Sequence, residues 1–208
     1  DRISEQQELE RVLPVIEAIT NNLDITLSVD TYKSVVAREA IKAGAHIIND
    51  IWGAKADPEM AKVAAEFQVP IILMHNREQM NYEHFISDAL TDLAESIKIV
   101  KHAGVLDENI ILDPGIGFAK NTSLNLEMIR NLDKLVAMGY PVLLAASRKS
   151  MIGDVLNLPP NERMEGTGAT ICFGIQKGCQ MIRVHDVKEM ARMAKMMDAL
   201  AGKGEYSG

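Results

Sequence analysis

The chain has 208 residues, of which 47% are hydrophobic and 25% are charged, a composition typical of a globular protein with a sizeable core. The formal net charge is −7, and Lys and Arg form no basic run, which argues against a nucleic-acid-binding protein. No apolar stretch approaches the roughly 20 residues that span a bilayer. Since no leader pattern opens the chain, we expect a cytoplasmic protein without a membrane partner.

One pattern recurs along the chain: a short apolar run followed by an amphipathic stretch. The runs are continuously apolar, as expected for strands of a parallel sheet that is buried on both faces. Ser4 and Gln7 form a capping box before the first helix, and Asp186 with Glu189 is expected to cap the last. The predicted strands are 25–29, 46–48, 71–74, 110–112, 142–145 and 181–184. The predicted helices are 9–19, 33–43, 60–67, 86–102, 124–138, 167–177 and 187–201.

Alternating strands and helices predict an α/β fold with right-handed crossovers. We favour a TIM (βα)8 barrel in which about six of the eight strands are present, since a barrel takes about 250 residues. An open six-stranded sheet is the alternative. We expect one domain over residues 1–208, fraying after Gly202, and about 60 further residues before Asp1 in the natural protein.

Polar residues stand where the predicted strands end. Asp30, Asn49, Asp113 and Lys149 each follow an apolar run, and Arg183 and His185 occupy the sixth. Asp and Asn often end strands merely because they begin turns. In a barrel, however, these ends converge on one mouth, where active sites lie. So many charged and amide side chains at strand ends favour a site.

The residue types indicate what such a site binds. Carboxylates, an amide and a lysine suit the edge of an amino-pyrimidinone heterocycle, because one carboxylate accepts two parallel N–H donors. Arg183 and His185 are two apart on a predicted strand, so they would point to one side and bind phosphate or diphosphate. Ser150 begins a short helical stretch whose free N–H groups favour a carboxylate. His75 fits either the mouth or a turn, and no His or Cys cluster has zinc spacing.

Several motifs in this order resemble the dihydropteroate synthase family, and the resemblance covers nearly the whole chain. The motifs are SVDTYKSVVAREAIKAGAHIINDIWG (28–53), ILMHN (72–76), ILDPGIGFAK (111–120), SRKS (147–150), GTGAT (166–170) and RVHDV (183–187). The resemblance implies an enzyme of folate biosynthesis that joins 6-hydroxymethyl-7,8-dihydropterin diphosphate to p-aminobenzoate and releases diphosphate. It also implies a sulfonamide target, a homodimer and Mg²⁺ as cofactor.

Site residues carried over by motif fall into three groups. The pterin contacts are Asp30, Asn49, Ile51, Met74, Asp113, Gly117 and Lys149. Arg183 and His185 resemble the diphosphate anchors, and Phe118 and Ser150 the p-aminobenzoate contacts. The resemblance assigns the chemistry itself to Asp113, Lys149, Arg183 and His185.

The chain departs from the family at its front, where an Asn-Val-Thr-Pro-Asp-Ser-Phe segment and a Ser-Thr-Arg-Pro segment are absent. The family's metal ligand is the Asn of the first segment, so we expect no metal ligand in this chain and no catalysis by the 208-residue form. Three alternatives remain open: an inactive fragment that keeps its pterin pocket, a related pterin-binding methyltransferase barrel, and a Schiff-base aldolase that uses Lys149.

Overall fold

A computed structural model describes residues 3–203, and in this part of the chain strands and helices alternate as predicted. The strands are β1 (Ser28–Asp30), β2 (Ile47–Asp50), β3 (Ile71–Met74), β4 (Ile110–Asp113), β5 (Leu143–Leu144) and β6 (Met181–Ile182). The helices are α1 (Glu5–Asn22), α2 (Ser34–Lys42), α3 (Met60–Phe67), α4 (Phe85–His102), α5 (Thr122–Arg130), α6 (Leu132–Val136), α7 (Ser150–Leu156), α8 (Met164–Gln176) and α9 (Val187–Leu200). Most of the tail expected to fray lies outside the described residues. No helix between residues 3 and 203 is long and apolar enough to cross a membrane.

The described residues group into two compact units. The first comprises residues 3–76 and Thr91–Ile111. In it β1, β2 and β3 form a parallel sheet in which Val29 lies opposite Ile48, and Ile48 opposite Ile71; β4, which begins in this unit, follows β3. All four side chains of β3 are buried, which accounts for its continuously apolar sequence. Helices α1 and α2 cover β1 through a small apolar cluster that includes Ile16, Val29 and Ala40.

The second unit comprises Arg77–Leu90 and residues 112–203. Its short strands β5 and β6 are parallel, with Leu143 opposite Met181, and Leu112 forms a parallel bridge to Val142. Helices α8 and α9 pack on each other through a buried cluster of Ile171, Ile175 and Met190. Within each unit, therefore, the carboxyl ends of the parallel strands and the polar residues that follow them lie at the same edge of the sheet.

Several helix ends differ from the predictions: α1 is longer than the predicted 9–19 at both ends, and α8 begins three residues before the predicted 167. The capping box of Ser4 and Gln7 is confirmed, with N···O distances of 3.1 and 3.2 Å. The single helix predicted over 124–138 is wrong: Asn131, at φ −109° and ψ 18°, separates α5 from α6, and its side chain donates to the Glu127 carbonyl. The predicted cap of α9 is also wrong, because the Asp186 side chain makes no capping hydrogen bond.

The last two strands, β5 and β6, end earlier than predicted. β6 stops at Ile182, so Arg183 and His185 lie beyond it instead of on it. The prediction that Arg183 and His185 share one face of a strand is therefore wrong.

Candidate active site

In the first unit, Asp30 and Asn49 end neighbouring strands and lie opposite each other in register. Asp30 is exposed, whereas Asn49 is buried. Within residues 3–203, no donor reaches the buried Oδ1 of Asn49. A buried amide oxygen without a donor is costly unless a ligand or water supplies one, so Asn49 is prepared for a ligand.

A tight turn follows Asn49 and presents Ile51. The buried Asp50 carboxylate accepts hydrogen bonds from the Trp52 and Ala54 N–H groups at 2.8 and 2.7 Å. Burial raises the pKa of Asp50 to about 6, against the lowering effect of these two donors. Gly53 and Ala54 both adopt positive φ, and a methyl group on Gly53 would lie 3.1 Å from the Met74 carbonyl. The turn thus packs on the end of β3.

His75, the residue after β3, is buried. Its Nε2 lies 3.0 Å from Asp92 Oδ2 on α4. This contact places His75 in the interior of the first unit, where it anchors the end of β3 to a helix. The sequence pattern left its role open between the mouth and a turn.

In the second unit, Asp113 ends β4 as a buried carboxyl group. Burial raises its pKa to about 6; the Gly115 N–H, which donates to Oδ1 at 2.7 Å, and the cations of Lys120, Lys149 and Arg183 act in the opposite direction. At pH 7 the group is therefore mostly an anion surrounded by positive charge. Such an anion favours a ligand that brings N–H donors or a developing positive charge.

Side chains of Lys120 and Asn125 hold the glycine-rich loop after Asp113 through hydrogen bonds to its backbone. Lys120 is buried, and its Nζ donates to the carbonyls of Gly115 and Phe118 at 2.9 Å each. Asn125 on α5 accepts from the Gly117 N–H at 2.8 Å. These bonds satisfy backbone groups of a loop that has no regular structure, and so hold it in one conformation.

Lys149 lies across this loop. Its Nζ is 4.7 Å from the centroid of the Phe118 ring, a cation–π contact. A methyl group on Gly117 would lie 3.2 Å from Lys149 Cδ, and Gly117 has φ +87°. Glycine is therefore required at this position both for the backbone conformation and for the approach of Lys149.

Residues 147–150 after β5 contact residues 183–186 after β6. Ser147 Oγ lies 2.8 Å from His185 Nδ1 and accepts from the His185 N–H at 3.2 Å. The Arg148 guanidinium makes two hydrogen bonds to the Asp186 carboxylate. His185 and Arg183 are exposed, as an anion site open to solvent requires, and Ser150 is exposed at the start of α7.

The predicted site residues thus form groups within each unit. Asp30 and Asn49 are neighbours in the first unit, where Ile51 follows β2 and Met74 ends β3. In the second unit Asp113, Gly117, Phe118 and Lys149 are associated. The sequence did not predict the supporting roles of the residues that hold these side chains in place. These residues are Asp50, Asp92, Lys120, Asn125, Ser147 and Thr167.

The described residues do not fit a metal site by themselves. Between residues 3 and 203, no three His, Cys, Asp or Glu side chains are placed to hold a metal ion.

Comparison with known proteins identifies the family. Residues 1–185 match the family described as pterin binding enzyme. The chain is 63% identical to a dihydropteroate synthase of Bacillus subtilis over 202 residues, which cover 97% of this chain and 71% of that protein.

The chain belongs to the dihydropteroate synthase family.

Solved dihydropteroate synthases have the same fold. A structure from Clostridium difficile, determined in the presence of pteroic acid, superposes with a TM-score of 0.94 at 42% identity and covers 96% of this chain and 76% of that chain. A Yersinia pestis structure in complex with a sulfonamide drug gives 0.92 at 37% identity, covering 97% and 76%. The predicted family, the α/β barrel class and the transferase function in folate biosynthesis are thereby confirmed.

Proposed function

We propose that this member of the dihydropteroate synthase family joins 6-hydroxymethyl-7,8-dihydropterin diphosphate to p-aminobenzoate with the residues described above. The observation that carries the assignment is Asp113, a buried carboxyl group with a pKa of about 6 among the cations of Lys149 and Arg183. An anion in that setting binds an amino-pyrimidinone edge through paired N–H donors.

The pterin contacts follow from this anchor. We assign polar contacts to the pterin ring to Asp113 and Lys149. Gly117 contributes a backbone contact and, because it has no side chain, lets Lys149 approach closely. Asp30 and Asn49 supply further polar contacts, supported by the donor-free Oδ1 of Asn49 within residues 3–203. Ile51 and Met74 supply apolar contacts to the flat faces.

The other two substrate groups are assigned to the remaining loops. Arg183 and His185 bind the diphosphate, supported by their exposure and by the Ser147 hydroxyl that orients His185. Phe118 and Ser150 bind p-aminobenzoate: the Phe118 ring lies under Lys149, and Ser150 begins α7.

On this assignment the reaction is an ionising displacement. The carbon–oxygen bond to diphosphate breaks first, and the electron pair leaves with the diphosphate, which Arg183 and His185 stabilise. The Asp113 carboxylate stabilises the pterin cation that forms. The arylamine nitrogen then attacks the cation, forms the carbon–nitrogen bond and releases a proton.

Mg²⁺, the homodimer and the cytoplasmic location remain proposals from the family resemblance. Exposed methionines on α9, Met193 and Met196, are compatible with a dimer contact. Because a Yersinia pestis relative was solved with a sulfonamide drug, we also propose that sulfonamides occupy the p-aminobenzoate site here.

The test is formation of 7,8-dihydropteroate in the presence of Mg²⁺. The 208-residue chain is compared with a form extended at its N-terminus by the corresponding residues of the Bacillus subtilis relative. We expect turnover by the extended form, its loss in Asp113→Asn, and little change in Asp133→Asn, which alters an exposed carboxylate paired with Lys177.

No turnover by the extended form would contradict the proposed function. The absence of catalysis in the 208-residue form stays a prediction. Equal rates for the short and the extended form would show it to be wrong.

A further inference from the structure

The loops after β5 and β6 are joined by an ion pair that the proposed reaction does not use. Arg148 Nε lies 3.1 Å from Asp186 Oδ2, and Arg148 Nη2 lies 2.6 Å from Asp186 Oδ1. The two contacts form a bidentate pair, which fixes orientation as well as distance. We call this pair the Arg148–Asp186 clamp.

The backbone of Arg148 is held as firmly as its side chain. Arg148 has φ +57°, a left-handed conformation that a residue with a side chain adopts only when its surroundings compensate. Its N–H donates to Thr167 Oγ1 and its carbonyl accepts from Arg163 Nη1, each at 3.0 Å. This left-handed residue turns the chain from β5 into α7 and thereby sets the direction of Lys149 and Ser150.

Asp186, the other partner, does not cap helix α9. Asp186 stands at the N-cap position of α9, where aspartate commonly bonds to the first free N–H groups of a helix. It makes no such bond, because both oxygens face Arg148. A partly exposed ion pair adds little to stability, and the lost cap offsets even that. A function other than stability therefore accounts better for this arrangement.

We propose that the Arg148–Asp186 clamp is a positioning device that sets Lys149 and Ser150 relative to Arg183 and His185. The inference rests on the proposed function of these four residues. Arg148 and Asp186 contact no substrate in this proposal; they act through their chain neighbours. A second contact between the same loops, Ser147 with His185, lies next to the clamp and also holds the two loops together.

Asp186→Asn distinguishes positioning from simple charge. The substitution keeps the shape and removes a negative charge beside the diphosphate anchors, so electrostatics alone would strengthen diphosphate binding. Positioning predicts the opposite, since an amide does not pair with both donors of the guanidinium. We expect the affinity for inorganic diphosphate, measured by calorimetry, to fall by about tenfold.

Two further variants complete the experiment. Arg148→Lys keeps the charge but not the fork, so we expect it to lose diphosphate affinity by a similar factor. Asp133→Asn breaks the Lys177–Asp133 ion pair in the same unit, at 3.0 Å, and should leave affinity unchanged. Melting temperatures of all three variants should agree within a few degrees, and Arg148→Lys decides the matter if Asp186→Asn folds poorly.

Diphosphate affinity that is unchanged or improved in Asp186→Asn, or unchanged in Arg148→Lys, would overturn the clamp. If the wild-type protein turns over substrate while these variants match it, the proposed function stands without the clamp. A wild-type protein that binds no diphosphate would overturn the clamp together with the assignment of Arg183 and His185.

Discussion

Asp113 shows how one side chain can be adjusted by opposing effects. Burial raises its pKa, while a backbone donor and three cations lower it, and the result of about 6 leaves it ionised but poorly solvated at pH 7. A carboxylate in this state gains more from a bound donor than one that is already surrounded by water.

Replacing Asp113 by Asn removes the charge and puts an amide donor opposite the donors of the pterin. We expect the free energy of pterin binding to weaken by at least ~1.5–3 kcal/mol, the usual value of a charge-assisted hydrogen bond. Calorimetry with a free pterin measures it, and Asp133→Asn is the matched control. Unchanged affinity would remove Asp113 from the ring site.

The pKa of Asp113 also predicts a pH dependence. The ionised form accepts the two N–H donors, so pterin affinity should be constant well above pH 6 and should fall as the pH is lowered through about 6. Asp113→Asn should show low affinity without this step. Titrations over that pH range in both proteins give the result, and an identical step in the variant would assign the titration to another group.

At the scale of elements, the loop between β4 and α5 depends on one buried cation. Lys120→Met keeps the length of the side chain but removes its donor from the carbonyls of Gly115 and Phe118. The Gly115 carbonyl still accepts from the Phe118 N–H at 3.1 Å, so the Phe118 carbonyl is affected most. We expect the free energy of unfolding to fall by ~1.5–3 kcal/mol. The KM for p-aminobenzoate should rise because Phe118 loses its support.

Denaturant unfolding and steady-state kinetics measure the two effects, with the exposed Lys134→Met as control. A stable variant with unchanged KM would mean that the loop is held by other contacts.

Elements with strong local signals were predictable from the sequence. The apolar run of β3 gave the bounds of that strand, and the capping box of Ser4 and Gln7 is confirmed, although α1 begins at Glu5 instead of the predicted residue 9. The break at Asn131 was not predictable, because the apolar spacing continues through it and only the backbone shows that its side chain bonds to Glu127. The cap predicted at Asp186 was wrong for a similar reason: Arg148, which is distant in the sequence, binds the carboxylate in place of the local N–H groups.

The residue types of the candidate site were predictable from the sequence, but the side chains that hold them in position were not. Asp113, Lys149 and His185 stand in motifs at strand ends, where a barrel collects its functional groups. Lys120, although it ends the motif of residues 111–120, and Asn125 stabilise the same loop in roles that the sequence pattern did not predict. Their roles depend on carbonyl and amide directions that only the folded backbone defines.

At the scale of the whole molecule, two buried carboxyl groups make stability depend on pH. Asp50 in the first unit and Asp113 in the second both have a pKa raised to about 6 from 3.8. Between these values the folded chain binds more protons than the unfolded chain, so the free energy of unfolding falls as the pH rises from about 4 to about 6. The loss should be about 3 kcal/mol per carboxyl group.

Urea unfolding at a series of pH values tests this, with Asp50→Asn and Asp113→Asn each expected to flatten part of the slope. Asp133→Asn should leave the slope unchanged. A wild-type stability that rises through the same range would mean that both groups are already ionised when folded.

The left-handed arginine at position 148 implies a conflict between two kinds of selection. Glycine adopts φ +57° without steric cost, so Arg148→Gly would relieve a strain of ~1–2 kcal/mol while deleting one arm of the clamp. A library screened only for heat resistance should therefore accumulate glycine at this position, whereas one screened for growth without external folate should retain arginine. The residue found at position 148 would then show whether selection had acted on stability or on catalytic activity.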